Sequence, residues 1–292
     1  MDSTAVSRWC DARREAHAAG GAVPWIEIDD PFRLRRFERN AIASQCARFN
    51  LALYRFARAA SDPDAVSAFA GAMGLRRRDL TLGADRRGIA SVQVARNPRA
   101  PEMIPFTARA LNWHTDGYYN APGQSVRAVV MHCAAPAASG GENTLLDPDL
   151  VYSAMHERDP ALVEALAHPG AMTIPAHEAD GTLLRPARIG PVFRFLDDSP
   201  RLHTRYTMRT RSIQWRATPS TARAVAALEE TIALLSAHRV QVRFETGEGV
   251  ICNNVLHRRS AFVDGEGEGE GEGEDSRRVV LRIRSFDPVA NG

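Results

Sequence analysis

The sequence has no lysine, little cysteine and no long apolar run. All 37 basic residues are arginine, which we interpret as a genomic bias and not as chemistry. The few cysteines lie far apart and form no C-x-x-C pair, so the sequence favours neither a zinc knuckle nor a disulfide framework. They are Cys10, Cys46, Cys133 and Cys252. Their spacing predicts reduced thiols in a cytoplasm.

Targeting and membrane signals are also missing from the sequence. The first 21 residues contain no apolar core of the kind that a signal peptide needs, and no run of eighteen apolar residues occurs. The formal net charge is only +2, which argues against a dedicated nucleic-acid surface. We therefore expect a cytoplasmic protein with a small-molecule partner and no nucleic-acid or membrane partner. Whether copies of the chain form a homo-oligomer stays open.

The composition and the pattern of apolar residues predict the fold class. A hydrophobic content of 44% and a charged content of 25% are typical of a globular protein. Strand-like runs recur at regular spacing among a few helices, which predicts a mainly β fold, an antiparallel barrel or jelly roll with flanking α-helices. We predict one domain over residues 1–292, with an N-terminal extension at 1–22. Continuous helices are expected over 32–60 and 149–168, and a hairpin turn at 246–249.

A low-complexity segment interrupts the C-terminal part of the chain. Residues 265–274 repeat Gly-Glu five times. Such a composition cannot bury apolar surface, and its like charges repel, so the segment is predicted to be a flexible insert in a surface turn. An active-site lid or a metal-attracting acidic loop is the alternative.

The sequence N-W-H-T-D-G-Y-Y, at 112–119, contains a candidate metal site. Side chains alternate along a strand, so His114 and Asp116 would point the same way. A third ligand would complete one face of an octahedron and leave three positions open, as in non-haem Fe(II) oxygenases. His257 is the best candidate, because it ends a predicted buried strand near the C-terminus. A partly buried histidine and a turn aspartate are the alternatives for the first pair.

Four motifs in this order resemble one family. W-H-x-D at 113–116, G-G-x-x-T at 140–144, V-L-H at 255–257 and R-x-x-x-R at 278–282 are similar to the taurine dioxygenase (TauD/TfdA) family of Fe(II)- and 2-oxoglutarate-dependent oxygenases. The resemblance covers roughly residues 23–287. It implies a double-stranded β-helix, the cupin-like form of the jelly roll.

The resemblance also implies roles for individual residues. His114, Asp116 and His257 would bind Fe(II), and O2 would be the oxidant. Arg278 would pair with the distal carboxylate of 2-oxoglutarate, because a buried carboxylate needs a planar, permanently charged partner. Thr144 would contact the same cosubstrate through its hydroxyl.

Three further residues are candidates for substrate binding. Arg282 follows Arg278 by four residues on the same strand face, where related enzymes hold an anionic group of the substrate. Asn112 and Tyr118 flank the metal motif and could line the pocket, or serve only in packing. Arg205, Arg209 and Arg211, on one face of a later strand-like run, could meet an acidic substrate or face solvent.

The function implied is hydroxylation of an unactivated C–H bond in a small polar substrate, anionic or amino-acid-like, with release of succinate and CO2. Asp116 argues against halogenation, since in the related halogenases a small residue replaces the carboxylate. Desaturation or cyclisation in a secondary-metabolite pathway is an alternative. A non-catalytic ligand-binding barrel is another, and hydrolysis by a different metal in the same facial site is a third.

Overall fold

The computed structural model describes residues 3–18, 22–80, 83–94, 104–179, 181–196, 201–209, 213–265 and 277–290. Their helices are α1 (Ser3–Ala18), α2 (Arg36–Phe49), α3 (Pro63–Ala72), α4 (Pro148–Arg158), α5 (Pro160–Ala167) and α6 (Pro219–Leu234). The first ten strands are β1 (Trp25–Ile28), β2 (Leu51–Phe56), β3 (Ile89–Val92), β4 (Leu111–His114), β5 (Ala128–Ala135), β6 (Ser139–Gly140), β7 (Asn143–Leu146), β8 (Met172–Ile174), β9 (His177–Ala179) and β10 (Thr182–Arg185). The others are β11 (Arg188–Gly190), β12 (Phe193–Phe195), β13 (Leu202–Thr204), β14 (Gln214–Trp215), β15 (Val240–Val242), β16 (Glu248–Cys252), β17 (Leu256–Arg259), β18 (Phe262–Val263) and β19 (Val279–Ser285).

The chain divides into two compact units. The helical unit comprises Met1–Gly21, Trp113–Ser125 and Leu146–Arg239, and the sheet unit comprises Ala22–Asn112, Val126–Leu145 and Val240–Gly292. The prediction of one domain over 1–292 stays a prediction.

The sheet unit is built on a six-stranded sheet in the order β1-β2-β16-β5-β19-β3. Alternate residues of its strands pack on opposite sides, because successive side chains leave a strand in opposite directions. Tyr54 and Ile283 join α2 and α3 in one apolar cluster. Leu53 and Val280 join Leu145 of β7 in a second cluster on the opposite face. The sheet is thus buried on both faces, and a smaller sheet, ordered β15-β7-β17-β4, covers the second one.

This arrangement is the predicted jelly-roll core with covering helices. It differs from the prediction in one respect, because β1 and β2 run parallel with α2 between them. Residues 51–56 were predicted as the end of a long helix. The helix instead ends at Phe49, where Asn50 adopts a left-handed conformation (φ 58°). A short apolar run that is buried on both faces has no periodicity to separate strand from helix.

The helical unit holds the N-terminal extension in place. Helix α1 packs against α4, with the Trp9 and Tyr152 ring centroids 5.8 Å apart in an edge-on arrangement. Arg13 donates a hydrogen bond to Asp147, the N-cap of α4, at 2.6 Å. The predicted helix over 149–168 is wrong in detail, since it breaks at Asp159. Pro160 lacks an N–H and forces the preceding residue out of the helical region, so Asp159 ends α4 and caps α5.

The predicted hairpin at 246–249 is also wrong. Strand β15 pairs with β7, whereas β16 pairs with β2 and β5. The predicted strand over 250–257 is interrupted as well, because Asn254 has a positive φ of 50° and separates β16 from β17. Sequence proximity favoured a local pairing, but two buried strands of the larger sheet pair with β16 instead.

Two other predictions, on the cysteines and on membrane-spanning helices, can be compared with the structure. All four cysteines are buried and free of disulfides. None of the described helices is long and apolar enough to cross a membrane. The Gly-Glu insert lies outside the described residues from position 266 onward.

Candidate metal centre

The three predicted ligands come together in the structure. One donor atom each from His114, Asp116 and His257 lies within 4.8 Å of the other two. All three side chains belong to buried residues, with exposed fractions of 9%, 6% and 6%. Two imidazoles and one carboxylate that converge away from water form the donor set of a facial Fe(II) site. The cluster therefore offers the donor atoms that such a site needs, and its binding of Fe(II) stays a prediction.

The segment that carries His114 and Asp116 is held by a neighbouring run of the same unit. The Thr115 N–H donates to the Tyr206 carbonyl at 2.9 Å, and the Tyr206 N–H donates to the Thr115 hydroxyl at 3.1 Å. The Met208 N–H donates to the Trp113 carbonyl at 2.8 Å. Strand β4 ends at His114, so these bonds, rather than a continuing strand, fix the backbone that carries Asp116.

The His257 ring is oriented by a backbone carbonyl two residues earlier in the chain. Its Nδ1 lies 3.0 Å from the Val255 carbonyl oxygen. A carbonyl can only accept, so Nδ1 carries the proton and the Nε2 lone pair is available to a metal. Upstream, the Asn254 side chain donates to the Val126 carbonyl at 2.8 Å and holds the turn before β17. A fixed tautomer of this kind is usual for metal-binding histidines.

Arg278 immediately precedes β19, whose inner face is the one that carries Val280 and packs toward the smaller sheet. It is 7% exposed, and its guanidinium lies 5.2 Å from the centroid of the Phe262 ring. Burial lowers the pKa of this guanidinium, an effect that Cys133 and Asp264 oppose. Within the described part of the chain, no carboxylate lies within ion-pair distance of Arg278. A buried cation in this state has the chemistry to receive an anion.

The two glycines of the G-G-x-x-T motif make room for Arg278. Gly140 and Gly141 have φ values of 71° and 77°, which other residues rarely adopt. A Cβ on Gly140 would lie 2.2 Å from the Ala261 carbonyl oxygen, and one on Gly141 would lie 3.2 Å from Arg278 Nε. The glycine pair is therefore required by close approach of β18 and of the arginine.

Thr144 is buried, but strand alternation turns it away from the inner core. Its neighbour Leu145 belongs to the second apolar cluster, the one on the inner face. Leu145 and Asn143 pair with Val240 and Val242 of β15, and both valines pack against that cluster. The β15 partner of Thr144 is Gln241, which is exposed. Asn143, 5% exposed, thus shares the inner face with Leu145. Sequence reasoning missed Asn143, although the apolar Leu145 two residues later was a signal for it.

The other arginines of β19 have different surroundings. Arg282 is 8% exposed and lies opposite Met131 on the inner face, so its role in substrate binding stays a prediction. Arg284, further along the same face, forms an ion pair with Asp79 at 3.0 Å, and both side chains are almost fully buried. Arg284 therefore stabilises the fold at this end of the strand.

The two remaining substrate candidates differ in exposure. Asn112 is exposed, and its role stays a prediction. Tyr118 is half-buried, its ring packs edge-on against Tyr119 at 5.0 Å, and Arg209 donates to its hydroxyl at 3.5 Å. The Tyr118 backbone is held by Arg205, whose Nε donates to the Tyr118 carbonyl at 2.7 Å.

Comparison with known proteins places these features in context. The model of the family described as "Taurine catabolism dioxygenase TauD, TfdA family" matches residues 25–283. A uridine-5'-phosphate dioxygenase from Amycolatopsis sp. is 32% identical over 99 residues, which cover 32% of this chain and 33% of that protein. The match thus spans about a third of the length of this relative.

Solved structures share the fold at low sequence identity. An asparagine oxygenase, in complex with Fe(II), 3-hydroxyasparagine and succinate, has a TM-score of 0.59 and 17% identity, with 98% of this chain and 92% of that chain covered. A taurine dioxygenase from Burkholderia xenovorans has a TM-score of 0.59 and 15% identity, with 91% and 88% covered. The non-haem iron oxygenase OrfP, in complex with Fe and α-ketoglutaric acid, has a TM-score of 0.59 and 13% identity, with 98% and 92% covered.

Proposed function

The chain belongs to the TauD/TfdA dioxygenase family, and from this premise we propose that it is an Fe(II)- and 2-oxoglutarate-dependent dioxygenase. Its reaction is the hydroxylation of an unactivated C–H bond in a small anionic substrate, with release of succinate and CO2. The observation that carries this proposal is the convergence of His114, Asp116 and His257 within 4.8 Å in a buried setting.

The donor set fits a ferrous ion. The fixed Nδ1 proton of His257 leaves Nε2 to bind the metal, and the Asp116 carboxylate would offset part of the charge of the ion. A ferrous ion held there would supply the activation of O2, coupled to oxidation of 2-oxoglutarate. The task of the protein is to place the substrate carbon near this centre and to keep bulk water away.

The residues around Arg278 fit the cosubstrate. The guanidinium would form the fork for the distal carboxylate of 2-oxoglutarate, and burial makes that pairing specific. Asn143 lies on the inner face of β7 where we had expected Thr144 to act, so we propose Asn143 as the second polar contact. Its side chain donates to the Gly141 carbonyl at 3.4 Å, within the glycine pair that accommodates Arg278.

The substrate class is a small anionic molecule. One relative is named for uridine-5'-phosphate and one neighbour for asparagine, which supports a polar substrate with a negative group. Desaturation or cyclisation would use the same metal and cosubstrate residues and would give a different product, so product analysis separates it from hydroxylation. A cytoplasmic location and the absence of nucleic-acid partners remain predictions.

The test is optical and needs no substrate. We expect that anaerobic addition of Fe(II) and 2-oxoglutarate gives a weak visible charge-transfer band, and that His257→Ala abolishes it. His177→Ala, which changes an exposed histidine outside the cluster, should keep the band. Admission of O2 should then release succinate. Absence of the band in the wild-type protein would refute the proposal, whereas a band without succinate would favour a non-catalytic barrel.

A further inference from the structure

Arginines and a tyrosine gather beside the metal motif in the helical unit. We define the arginine cluster as Arg185, Arg188, Arg209 and Tyr118. Arg209 donates to the Tyr118 hydroxyl at 3.5 Å, and the Arg185 guanidinium lies 5.9 Å from the ring centroid of Tyr119. Tyr118 follows Asp116 by two residues, so their Cα atoms are at most about 7 Å apart. The cluster therefore begins next to a metal ligand.

Arg205 assembles this cluster from three segments of the chain. Its Nε donates to the Tyr118 carbonyl at 2.7 Å, and its Nη2 donates to the Arg188 carbonyl at 2.8 Å. Its Nη1 donates to the carbonyls of Met172 and Gly190, both at 3.2 Å. All three nitrogens of the Arg205 guanidinium therefore donate hydrogen bonds to backbone oxygens. Arg205 is thus a positioning residue, which brings Arg188 and Tyr118 to the same place.

The arginines of the cluster differ from the ion-paired arginines on the surface of the same unit. Arg158 and Arg223, for example, form ion pairs with carboxylates on the surface. Within the described residues, neither Arg185, Arg188 nor Arg209 forms an ion pair, although each is half-buried. The Nε of Arg188 is buried and has no hydrogen-bond partner in this part of the chain. Such an arrangement of like charges is costly unless an anion joins it.

We propose that the arginine cluster binds the phosphate group of a phosphate-monoester substrate. Arg185 donates from Nη1 to the Pro186 carbonyl and from Nη2 to the Pro175 carbonyl, so it contributes mainly its charge. The guanidinium groups of Arg188 and Arg209 and the phenol hydroxyl still offer more donors than a single carboxylate can accept, whereas a phosphate dianion presents three terminal oxygens. The assignment of this anion as substrate rests on the proposed dioxygenase function. The buried Arg188 Nε and the Tyr118 hydroxyl would then orient the phosphate, and the rest of the molecule would extend toward the metal ligands.

The test measures anion binding without iron or cosubstrate. Inorganic phosphate is titrated calorimetrically into the full-length metal-free protein and into Arg278→Gln, a background that removes the other candidate anion site. In both, Arg209→Gln and Arg188→Gln should each weaken phosphate binding at least tenfold, because each removes charge-assisted hydrogen bonds. Arg223→Gln, a surface arginine of the same unit, should change it less than twofold. Arg209→Lys should restore part of the affinity, since it returns the charge without the fork.

A second titration compares sources of the anion. Uridine 5'-phosphate should bind at least tenfold more tightly than uridine, and acetate should not compete with phosphate at equal concentration. Unchanged phosphate affinity in Arg188→Gln and Arg209→Gln would overturn the proposal, as would an equal loss in Arg223→Gln or equal competition by acetate. Because these titrations need no iron, loss of the visible band in the earlier experiment would leave the anion site standing, and the reverse also holds.

Discussion

Replacement of Arg278 by glutamine tests whether this residue binds the cosubstrate or only stabilises the fold. The residue is 7% exposed, and no carboxylate in the described part of the chain pairs with it. In the substituted protein, the distal carboxylate of 2-oxoglutarate would be buried without a cation. Removing one partner of a buried charge pair costs about 3–5 kcal/mol. At about 1.4 kcal/mol per decade, the dissociation constant for 2-oxoglutarate should rise a hundredfold or more.

The folded state without ligands should respond quite differently. The substitution removes no ion pair within the described residues, and the lost contact with the Phe262 ring is worth about 1 kcal/mol or less. It also removes a buried charge. We therefore expect the free energy of unfolding, measured by urea denaturation without ligands, to change by no more than about 1 kcal/mol.

The assay is an anaerobic titration of 2-oxoglutarate into the Fe(II)-loaded protein, followed by visible absorption. Arg277→Gln is the matched control, because Arg277 is the adjacent residue, less buried and outside the inner face. It should change the affinity less than twofold. If Arg278→Gln binds 2-oxoglutarate as tightly as the wild type, or if it unfolds before any titration can be made, the role assigned to this guanidinium is wrong.

Two further predictions concern the fold. Asp79→Asn leaves the Arg284 guanidinium buried without this carboxylate, so the free energy of unfolding should fall by about 3 kcal/mol. The control Asp64→Asn, at an exposed ion pair, should lower it by less than about 0.5 kcal/mol. A fall below 1 kcal/mol in a urea melt of Asp79→Asn would contradict this prediction. Burial lowers the pKa of His132 from its ordinary 6.5 to about 4, although a hydrogen bond to the Ala60 carbonyl opposes the shift. The unfolded chain then binds more protons below pH 6.5, so this histidine should cost about 2–3 kcal/mol of stability between pH 6.5 and 4.5, and His132→Gln should show a correspondingly smaller loss in paired denaturation curves.

The proximity of His114 and Asp116 could be predicted from sequence because they are two residues apart, whereas their role as metal ligands stays a prediction. Strand alternation was expected to set them on one side of the chain. Strand β4 ends at His114, however, and hydrogen bonds to Tyr206 and Met208 fix the backbone that carries Asp116. Arg278 was identified through the resemblance to the family and not from local geometry, and its role stays a prediction. The approach of His257 depends on contacts that are distant in the sequence, which local spacing does not carry.

The sequence failed where long-range pairing decides the structure. Residues 51–56 are apolar at every position but one, and only their place inside a two-sided sheet makes them a strand. The choice between Thr144 and Asn143 depended on which face of β7 packs inward. Arg205 was ambiguous for another reason, because nothing in its strand-like run indicates that it donates to carbonyls from three separate segments.

Asp264 has a consequence for how this protein tolerates changes in length. Its carboxylate accepts the Arg278 backbone N–H at 2.8 Å, and so joins the residue before the Gly-Glu repeat to the start of the last strand. This hydrogen bond fixes the backbone of Arg278 relative to Asp264, whatever the length of the chain between these two residues. Each doubling of that chain costs only about 0.6 kcal/mol in closure entropy. Natural expansion or contraction of the repeat, or a genetically encoded reporter inserted there, would therefore leave the backbone position of Arg278 unchanged.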